Sequence, residues 1–358
     1  MLVQEVNLDN VFSQLSRDSI NIISIGEKAS LDIDELIERS NENGIKIAGG
    51  IFPMIVHETK AYDDGLIIKQ IDKGNRTILL QDIHNTEIVF PKLEKHEKSC
   101  IVFTDGLSTG TSYLLDRLYE HYWNKLSYVG GGCGSLSLEQ APCVFTNEGV
   151  FQNAAVIQLI DRDIDLGICH GWEKISGPFV ANKTDGNRIL ELNWRPAFEV
   201  YKEVVEQYSE LSFEGNSFFD ISQAFPFGIY KEGHEDIVRD PIMVDEEGAL
   251  VCVGQIGQNV SLNILKGDTE NLFSSAAKAT EDSIKNNNVK DVFVVDCISR
   301  MLYLKEDFQK ELQAVHQKIT DSNPNVELEG VLSLGEIASN HEGYLEFYNK
   351  TIVVSSTN

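Results

Sequence analysis

The chain of 358 residues has a mass of 40.0 kDa, which is enough for two or three domains of ordinary size. Apolar residues make up 42% of it, so we expect a globular protein with a hydrophobic core and not a disordered chain. Acidic residues outnumber basic ones by 56 to 30, which gives a net charge of −26. This charge excludes nucleic acid and anionic membrane surfaces as main partners, because both are bound through clusters of Lys and Arg.

The chain begins with a pattern of one strand, one helix and two further strands. Residues 20–26 form an apolar run that predicts a buried strand, and residues 31–39 have the apolar spacing of an amphipathic helix. Residues 45–52 and 65–71 predict two more strands. We interpret this β-α-β-β pattern as one structural unit.

Two similar units follow. The second has a strand, a helix, a strand and a hairpin, at residues 100–106, 112–125, 126–132 and 142–160. The third has a strand, a helix and two strands, at residues 292–297, 308–319, 326–336 and 351–355. Similar patterns at similar spacing indicate internal duplication, so we predict three copies of one unit.

The segment 190–290 separates the second copy from the third. It opens with a helix started by Pro196 and ends with a helix at about 272–285, with strands between them. Because most neighbouring strands are joined by hairpins, we predict an α+β fold of mixed or antiparallel sheets covered by helices. We place two domains at 1–190 and 191–358. No Pro/Gly/Ser-rich linker separates them, so we expect the two halves to pack closely.

Glycines recur at the strand that follows the helix. Gly49 and Gly50 occupy this place in the first copy, and Gly131 and Gly132 occupy it in the second. Glycines let a ligand reach backbone N–H groups without meeting a Cβ, so we predict that these four line a ligand site. The spacing matches neither a dinucleotide fingerprint nor a phosphate loop. The structural alternative is a bulge or a tight strand crossing.

The third copy carries polar residues near its strand ends. Cys297 and Arg300 follow one strand, and Glu336 follows another. Arg300 and Glu336 would pair with the carboxylate and the amine of a ligand, although a structural Arg–Glu pair explains them equally well. A thiol enzyme that uses Cys297 or Cys133 stays open. No Ser-His-Asp set, paired catalytic carboxylates or H-E-x-x-H motif can be assembled, so the sequence does not favour an enzyme.

Two histidines are candidate axial ligands for haem. His170 follows the apolar strand at the end of the second copy, and His57 lies on a strand after the glycine pair of the first copy. A haem needs one imidazole or thiolate in an apolar slot, which Trp172 or Phe52 would wall. The structural alternatives are a half-buried, hydrogen-bonded pair of His170 with Trp172, and an ordinary core position for His57. No other metal site has ligands at a recognisable spacing.

The cysteines and the N-terminus indicate the compartment. The six cysteines form no C-x-x-C pair, and several lie within apolar runs, where a free cysteine behaves as a small hydrophobic residue. The first residues lack a basic segment followed by an apolar one, and no apolar run approaches 18 residues. We therefore expect a cytoplasmic protein that is neither secreted nor membrane-spanning.

Short motifs along the chain resemble the two halves of FIST-domain proteins. Four motifs resemble the N-terminal half of these proteins: Tyr128-Val-Gly-Gly-Gly132, Phe145-Thr-Asn-Glu-Gly-Val, His170-Gly171-Trp172 and Arg195-Pro196-Ala197 with Tyr201. Three motifs resemble the C-terminal half: Asp296-Cys297-Ile-Ser-Arg300, Gly330-Val-Leu-Ser-Leu-Gly335-Glu336-Ile337 and Tyr348-Asn349-Lys-Thr351. The resemblance implies a FIST N-like domain over 1–190 and a FIST C-like domain over 191–358.

The resemblance also implies a function. It implies a sensory module that binds a small ligand, for which amino acids are a proposed class, and that acts in signal transduction. One branch of the family binds haem and senses nitric oxide, so a haem-based gas sensor that regulates a histidine kinase is the alternative. The sequence shows no kinase, cyclase or F-box segment, so we expect the output to pass through a histidine kinase or another signalling protein in trans. A protein-interaction scaffold is a further alternative.

Overall fold

The computed structural model describes residues 1–85, 87–285, 289–339 and 344–358. These residues form three repeats of one topological unit, with an insertion inside the third. In each repeat, two neighbouring parallel strands are joined through a helical connection, and the last strand of the repeat pairs antiparallel with the first of these two. A strand at the start of the repeat then pairs with that last strand at the sheet edge.

Repeats 1 and 2 occupy the first 160 residues. Repeat 1 consists of β1 (Leu2–Val3), α1 (Leu8–Ser13), β2 (Ser19–Gly26), α2 (Ile33–Glu42), β3 (Lys46–Phe52), β4 (Met54–His57), β5 (Lys60–Tyr62) and β6 (Leu66–Asp72). Repeat 2 consists of β7 (Arg76–Leu80), β8 (Ser99–Asp105), α3 (Thr111–Tyr122), β9 (Ser127–Cys133), β10 (Val144–Thr146), β11 (Gly149–Phe151) and β12 (Ala155–Ile160). A short 3-10 helix, Trp123–Lys125, extends α3.

Repeat 3 opens with β13 (Ile164–Cys169) and is then interrupted. The insertion consists of β14 (Glu173–Ala181), β15 (Lys183–Asp185), β16 (Arg188–Leu192), β17 (Arg195–Pro196), α4 (Ala197–Tyr208), α5 (Phe218–Ser222), β18 (Phe227–Ile229), β19 (Ile237–Arg239), β20 (Pro241–Val244), β21 (Leu250–Cys252) and β22 (Val260–Lys266). The repeat resumes with α6 (Thr269–Ser283), β23 (Asp291–Cys297), α7 (Ile298–Leu304), a 3-10 helix (Lys305–Asp307), α8 (Phe308–Ser322), β24 (Leu328–Ser333), β25 (Glu336–Ser339), β26 (Leu345–Tyr348) and β27 (Ile352–Thr357).

The repeats exchange hairpins in a cycle. After its parallel pair, repeat 1 sends the hairpin β4–β5 onto β24 of repeat 3. Repeat 2 sends β10–β11 onto β3 of repeat 1, and repeat 3 sends β25–β26 onto β9 of repeat 2. The chain then returns to its own sheet through β6, β12 or β27. The result is three six-stranded mixed sheets, each built from two repeats.

One glycine in each repeat lies at a close approach between strands. A Cβ added at Gly49, Gly130 or Gly330 would lie 1.9, 1.8 or 2.1 Å from a carbonyl oxygen of the neighbouring parallel strand. The exchanged hairpin places a larger residue opposite each glycine: Phe145, Ile337 and Val56. The recurring glycine is therefore a packing requirement of the fold.

The hydrophobic core has several parts. Ile22, Phe103 and Val295, one from each repeat, belong to a core that the three six-stranded sheets share. The helices α6 and α8 cover the outer face of the repeat 3 sheet, where Leu272 and Leu312 are fully buried. The insertion has two further sheets of its own and a separate core.

The structure confirms the predicted α+β class, with mixed sheets that do not close into barrels and helices packed on them. It also confirms the three strand–helix–strand copies. The strand before His170, which we expected to end the second copy, lies instead in the repeat 3 sheet as β13. The domain boundary near residue 190 stays a prediction. None of the described helices is long and apolar enough to cross a membrane.

Candidate ligand site

The turn after β13 presents a histidine to a cleft. Gly171, with a φ of 75°, turns the chain directly after His170, and a Cβ there would lie 2.5 Å from Ser275 Oγ on α6. Trp172 follows, and its indole N–H donates to the carbonyl of Lys350 at 2.9 Å. The requirement for glycine and the anchored tryptophan fix the position of the histidine.

The His170 side chain is buried with one ring nitrogen unsatisfied. Its Nδ1 accepts a hydrogen bond from the backbone N–H of Trp172 at 2.9 Å, so the proton of the neutral ring lies on Nε2. Burial lowers the pKa of His170, which keeps the ring neutral. Nε2 has no hydrogen-bond partner among the described residues, and its distance to Glu235 Oε2 is 3.9 Å. A buried donor without an acceptor costs about 1–3 kcal/mol.

The cleft in front of His170 has a volume of about 590 Å³. The end of β13, the loop between β18 and β19, α6 and the β26 hairpin form its walls. Five carboxylates and two lysines line it: Glu232, Glu235, Asp236, Asp282, Glu346, Lys231 and Lys278. One lysine is already neutralised, because Lys231 Nζ lies 3.1 Å from Glu346 Oε1. The cleft therefore favours a positively charged group.

Two of these carboxylates are held in place by their neighbours. Glu235 accepts hydrogen bonds from the thiol of Cys169 and from the backbone N–H of His170, both at 3.1 Å. Asp236 accepts a hydrogen bond from Asn263 Nδ2 at 2.6 Å. The acidic wall beside His170 is thus preorganised.

A buried group of charges lies beneath the cleft. Arg300 is fully buried and donates to both carboxylate oxygens of Glu311, at 2.5 and 3.1 Å, while Asp296 Oδ1 lies 3.3 Å from its Nε. Burial and the nearby Glu311 raise the pKa of Asp296. Arg300 also donates to the carbonyl of His170 at 2.5 Å. The floor of the cleft is therefore tied directly to this charge network.

Glu336 and Cys297 form the adjoining part of the network. Glu336 accepts hydrogen bonds from Ser333 Oγ at 2.8 Å and from the backbone N–H of Thr351 at 3.3 Å, and it contacts the Cys297 thiol. Burial raises the pKa of Glu336 to about 8, so this carboxyl group is largely protonated at neutral pH. Burial also raises the pKa of Cys297 well above its ordinary value, which keeps the thiol protonated and unsuited to nucleophilic attack.

Lys350 joins the insertion to repeat 3. Its Nζ lies 3.2 Å from Asp240 Oδ2, donates to the carbonyl of Gln223 and lies 4.9 Å from the centre of the Trp172 ring. Its own carbonyl accepts from Arg300 and from Trp172. A single residue thus connects the turn after β13, the buried charges and the insertion.

The buried carboxyl groups at the sheet positions of Asp296 and Glu336 occur only in repeat 3 among the described residues. Glu336 lies opposite Gly131, and the equivalent positions on the other exchanged hairpins are Val144 and Ile55. On the first strand of each parallel pair, the equivalents of Asp296 are Thr104 and Ile25. The fold therefore does not require ionisable groups at these positions.

The structure brings together part of the predicted site. Cys297, Arg300 and Glu336 lie in one buried network beneath the cleft and do not line it, so their pairing with the charged groups of a ligand stays a prediction. The four glycines lie inside the sheets, where a Cβ at Gly50 would meet Cys133 Sγ at 2.3 Å and one at Gly131 would meet Ser333 and Val295 at 2.9 Å. The N–H of Gly132 donates to the carbonyl of Gly335. We expected the backbone N–H groups of these glycines to be open to a ligand, but the glycines lie within the sheets and permit close packing of the strands. A ligand role for them stays a prediction.

His57 lies in a separate group. Its Nε2 is 3.8 Å from Glu327 Oε2, and Glu329 completes a cluster whose ligand atoms lie within 4.8 Å of one another. Glu329, however, pairs with Lys69 at 2.6 Å and with the N-terminal ammonium group of Met1. Two cations already compensate this carboxylate, so the group does not offer a free metal site.

Several residues of the site were not predicted from the sequence. The loop Lys231-Glu-Gly-His-Glu-Asp236 has the composition of a solvated turn, and only its position against His170 makes it a wall. Glu311 and Asp240 carry no local signal, because their partners Arg300 and Lys350 lie on other elements of the fold. Lys350 did lie within one of the motifs that carried the family resemblance.

Two family models match the chain. The FIST N domain matches residues 30–195, and the FIST C domain matches residues 197–339. The chain belongs to the FIST family. FIST domains are sensory domains that bind small ligands in signal transduction, and they are not known as enzymes. No curated protein matches the chain.

Proposed function

We propose that this FIST protein is a cytoplasmic sensor that binds a small ligand in the His170 cleft and passes the signal to a separate protein. The observation that carries the proposal is the buried Nε2–H of His170, which lines a cleft of about 590 Å³ and has no acceptor within the described part of the chain. A ligand oxygen at this position would satisfy the donor and recover its desolvation cost.

The charges of the cleft favour one class of ligand. The carboxylates of Glu232, Glu235 and Asp236 suit an ammonium group, whereas Asp282 already pairs with Lys285 at 2.7 Å. The His170 donor suits a carboxylate or carbonyl oxygen. A free amino acid, or another small amine that carries an acceptor oxygen, has both groups. The cleft supports this class of ligand and not a particular compound.

The contacts beneath the cleft supply a route for the signal. A ligand that contacts His170 would alter the hydrogen bond between the His170 carbonyl and Arg300. Thr351, which lines the cleft, donates its backbone N–H to Glu336. Both contacts lead into the repeat 3 network that the other repeats lack. A histidine kinase or another signalling protein in trans would then read the altered surface; this part rests on the family's role in signal transduction.

The haem alternative has less support. His170 offers an unsatisfied nitrogen, but the cleft is lined by five carboxylates, which would repel the propionates of a haem. The two aromatic residues expected to line a haem slot pack against other side chains: Trp172 against Tyr303, and Phe52 against Phe103 in the core. The acidic lining of the His170 cleft therefore supports a small cationic ligand better than a haem.

Thermal-shift measurements with free amino acids and small amines test the proposal. We expect at least one compound to raise the Tm of the wild type, and we expect His170→Leu to weaken its binding by about tenfold or more because the donor is lost. Glu232→Gln should weaken an ammonium ligand severalfold, whereas Glu210→Gln, an exposed change away from the cleft, should leave binding unchanged. Equal stabilisation of His170→Leu, or no stabilisation of the wild type by any compound, would refute the proposal.

A further inference from the structure

The helix α6 brings a lysine beside the turn after β13. Gly171 contacts this helix at one point, where a Cβ would lie 2.5 Å from Ser275 Oγ. Gly167 contacts it one turn further on, where a Cβ would lie 1.7 Å from the carbonyl oxygen of Ala279. Lys278 lies between these two contacts on α6 and lines the cleft. Its ammonium group therefore belongs to the wall that packs against the end of β13.

This lysine keeps an uncompensated charge. Lys231 pairs with Glu346 at 3.1 Å, whereas Lys278 forms no ion pair or hydrogen bond with any residue that the structure describes. The Nε2–H of His170, on the neighbouring element, is also without an acceptor in the described ranges. A lysine and an N–H donor on adjoining elements of one cleft match the two oxygens of a carboxylate.

The carboxylates of the cleft divide into compensated and uncompensated ones. Asp282 pairs with Lys285 at 2.7 Å, and Glu346 pairs with Lys231. The other three all lie on the loop between β18 and β19, and within the described chain none of them pairs with a lysine or an arginine: Glu232, Glu235 and Asp236. The cleft is thus left with three negative charges on the loop and one positive charge on α6.

The cleft has room for a ligand with a long side chain. Its volume of about 590 Å³ is roughly four times that of the 150 Å³ cavity that holds benzene. Arginine is about twice the size of benzene, so it fits with space to spare. Ile168, Ile237 and Tyr348 also line the cleft and offer apolar surface to the methylene groups of such a side chain.

We propose that the His170 cleft binds an α-amino acid with a cationic side chain. The α-carboxylate pairs with Lys278 and accepts a hydrogen bond from His170 Nε2, while the α-ammonium group and the side-chain cation pair with the three loop carboxylates. A ligand with two positive charges and one negative charge complements the charges that the cleft leaves uncompensated. This inference rests on the proposed function, because it names the ligand class of the same site.

Isothermal titration calorimetry with matched probes tests the proposal. Citrulline and norleucine replace the charged side chains of arginine and lysine with neutral ones, and agmatine and cadaverine lack the carboxylate of the same two amino acids. We expect arginine or lysine to bind at least about tenfold more tightly than its neutral and its decarboxylated counterpart, because each counterpart loses one charge pair. Neutral counterparts that bind as tightly as both charged amino acids would overturn the proposal.

A variant of the lysine tests the carboxylate end of the ligand. Lys278→Gln should weaken the cationic amino acid by about tenfold and leave the decarboxylated amine unchanged, because only the amino acid has a carboxylate to lose. Lys310→Gln, an exposed change on α8, is the matched control and should alter neither. If Lys278→Gln weakens the amino acid and the amine equally, or weakens neither, the assignment of this lysine is wrong.

Two further outcomes separate this inference from the function on which it rests. A neutral amino acid that binds most tightly, and that loses its affinity in His170→Leu, would overturn the cationic ligand class and leave the sensor proposal standing. If no amino acid or amine binds to the wild type, both proposals fail.

Discussion

At the scale of single residues, the unusual feature is a buried carboxyl group where a hydrophobic residue would fit. Val144 and Ile55 occupy the positions equivalent to Glu336 in the other sheets. Taking a carboxylate out of water is costly, and the structure limits this cost by keeping Glu336 protonated and bonded to Ser333. Burying this carboxyl group lowers the free energy of unfolding, but it places a polar group next to the cleft wall, to which it is joined through Thr351.

This group makes folding stability depend on pH. The folded pKa of Glu336 is about 8, against an ordinary value of 4.5, so the folded state holds a proton that the unfolded state releases. Its contribution to stability is full below about pH 4.5 and is lost as the pH rises through 8. Glu336→Gln keeps a hydrogen-bonding amide there without a titrating group. We expect the variant to gain about 4 kcal/mol relative to the wild type between pH 5 and pH 9.

Urea unfolding at several pH values measures this difference. The exposed Glu87→Gln is the control, because it changes the same side chain without burial. Asp296 and Cys297 belong to the same network and have shifted pKa values of their own, so the comparison is between variants at each pH. A stability difference between Glu336→Gln and the wild type that stays constant from pH 5 to pH 9 would contradict the assignment.

At the scale of elements, the sequence predicts the parallel pairs but not the exchanged hairpins. Each strand–helix–strand segment is continuous in the sequence. The spacing of its apolar residues therefore changes visibly from a period of 2 in the strand to a period of 3.6 in the helix. The apolar run in Met54–His57 is typical of a strand buried on both faces, but it does not identify the strand that β4 pairs with. The partner, β24, is more than 250 residues away, so no local pattern identifies it.

The same difference of scale separates the predicted from the unpredicted parts of the site. Cys297 and Arg300 were predicted as a pair because they follow one strand, and Glu336 because it ends another. The state of His170 required a fact that only the fold supplies: the N–H of Trp172 occupies Nδ1 and leaves Nε2 as the donor. The glycines were recognised as special, but their role in packing depends on the strand beside them.

The packing role of the glycines can be tested by adding one methyl group. Gly49→Ala would place a Cβ 1.9 Å from the carbonyl oxygen of Ile23 and 2.7 Å from the Phe145 ring, so the strands must separate. We expect a loss of about 3 kcal/mol or more in the free energy of unfolding. Gly257→Ala, whose nearest contact would be the Val260 side chain at 3.2 Å, should change it by less than about 0.5 kcal/mol.

Urea unfolding of both variants provides the measurement. Wild-type stability in Gly49→Ala would show that the recurring glycine is not a packing requirement. Its occurrence at the same place in each repeat would then favour the original interpretation, in which it leaves space for a ligand.

At the scale of the whole molecule, the hairpin exchange makes the halves interdependent. The hairpin β4–β5 completes the sheet of repeat 3, and β25–β26 completes the sheet of repeat 2. The His170 cleft combines the end of β13, the insertion loop and the β26 hairpin. A ligand in the cleft would therefore contact elements from distant parts of the chain at once, which is the geometry that a sensor needs to convert binding into a change elsewhere.

The central claim is that His170 offers a buried Nε2–H to a small ligand. NMR of protein labelled with 15N-histidine measures this directly, with the His170→Leu spectrum assigning the signal. We predict the neutral Nε2–H tautomer in the free protein and a shift of this N–H signal when a ligand identified by thermal shift is added. An Nδ1–H tautomer, or a His170 signal that does not move on saturation with that ligand, would contradict the account.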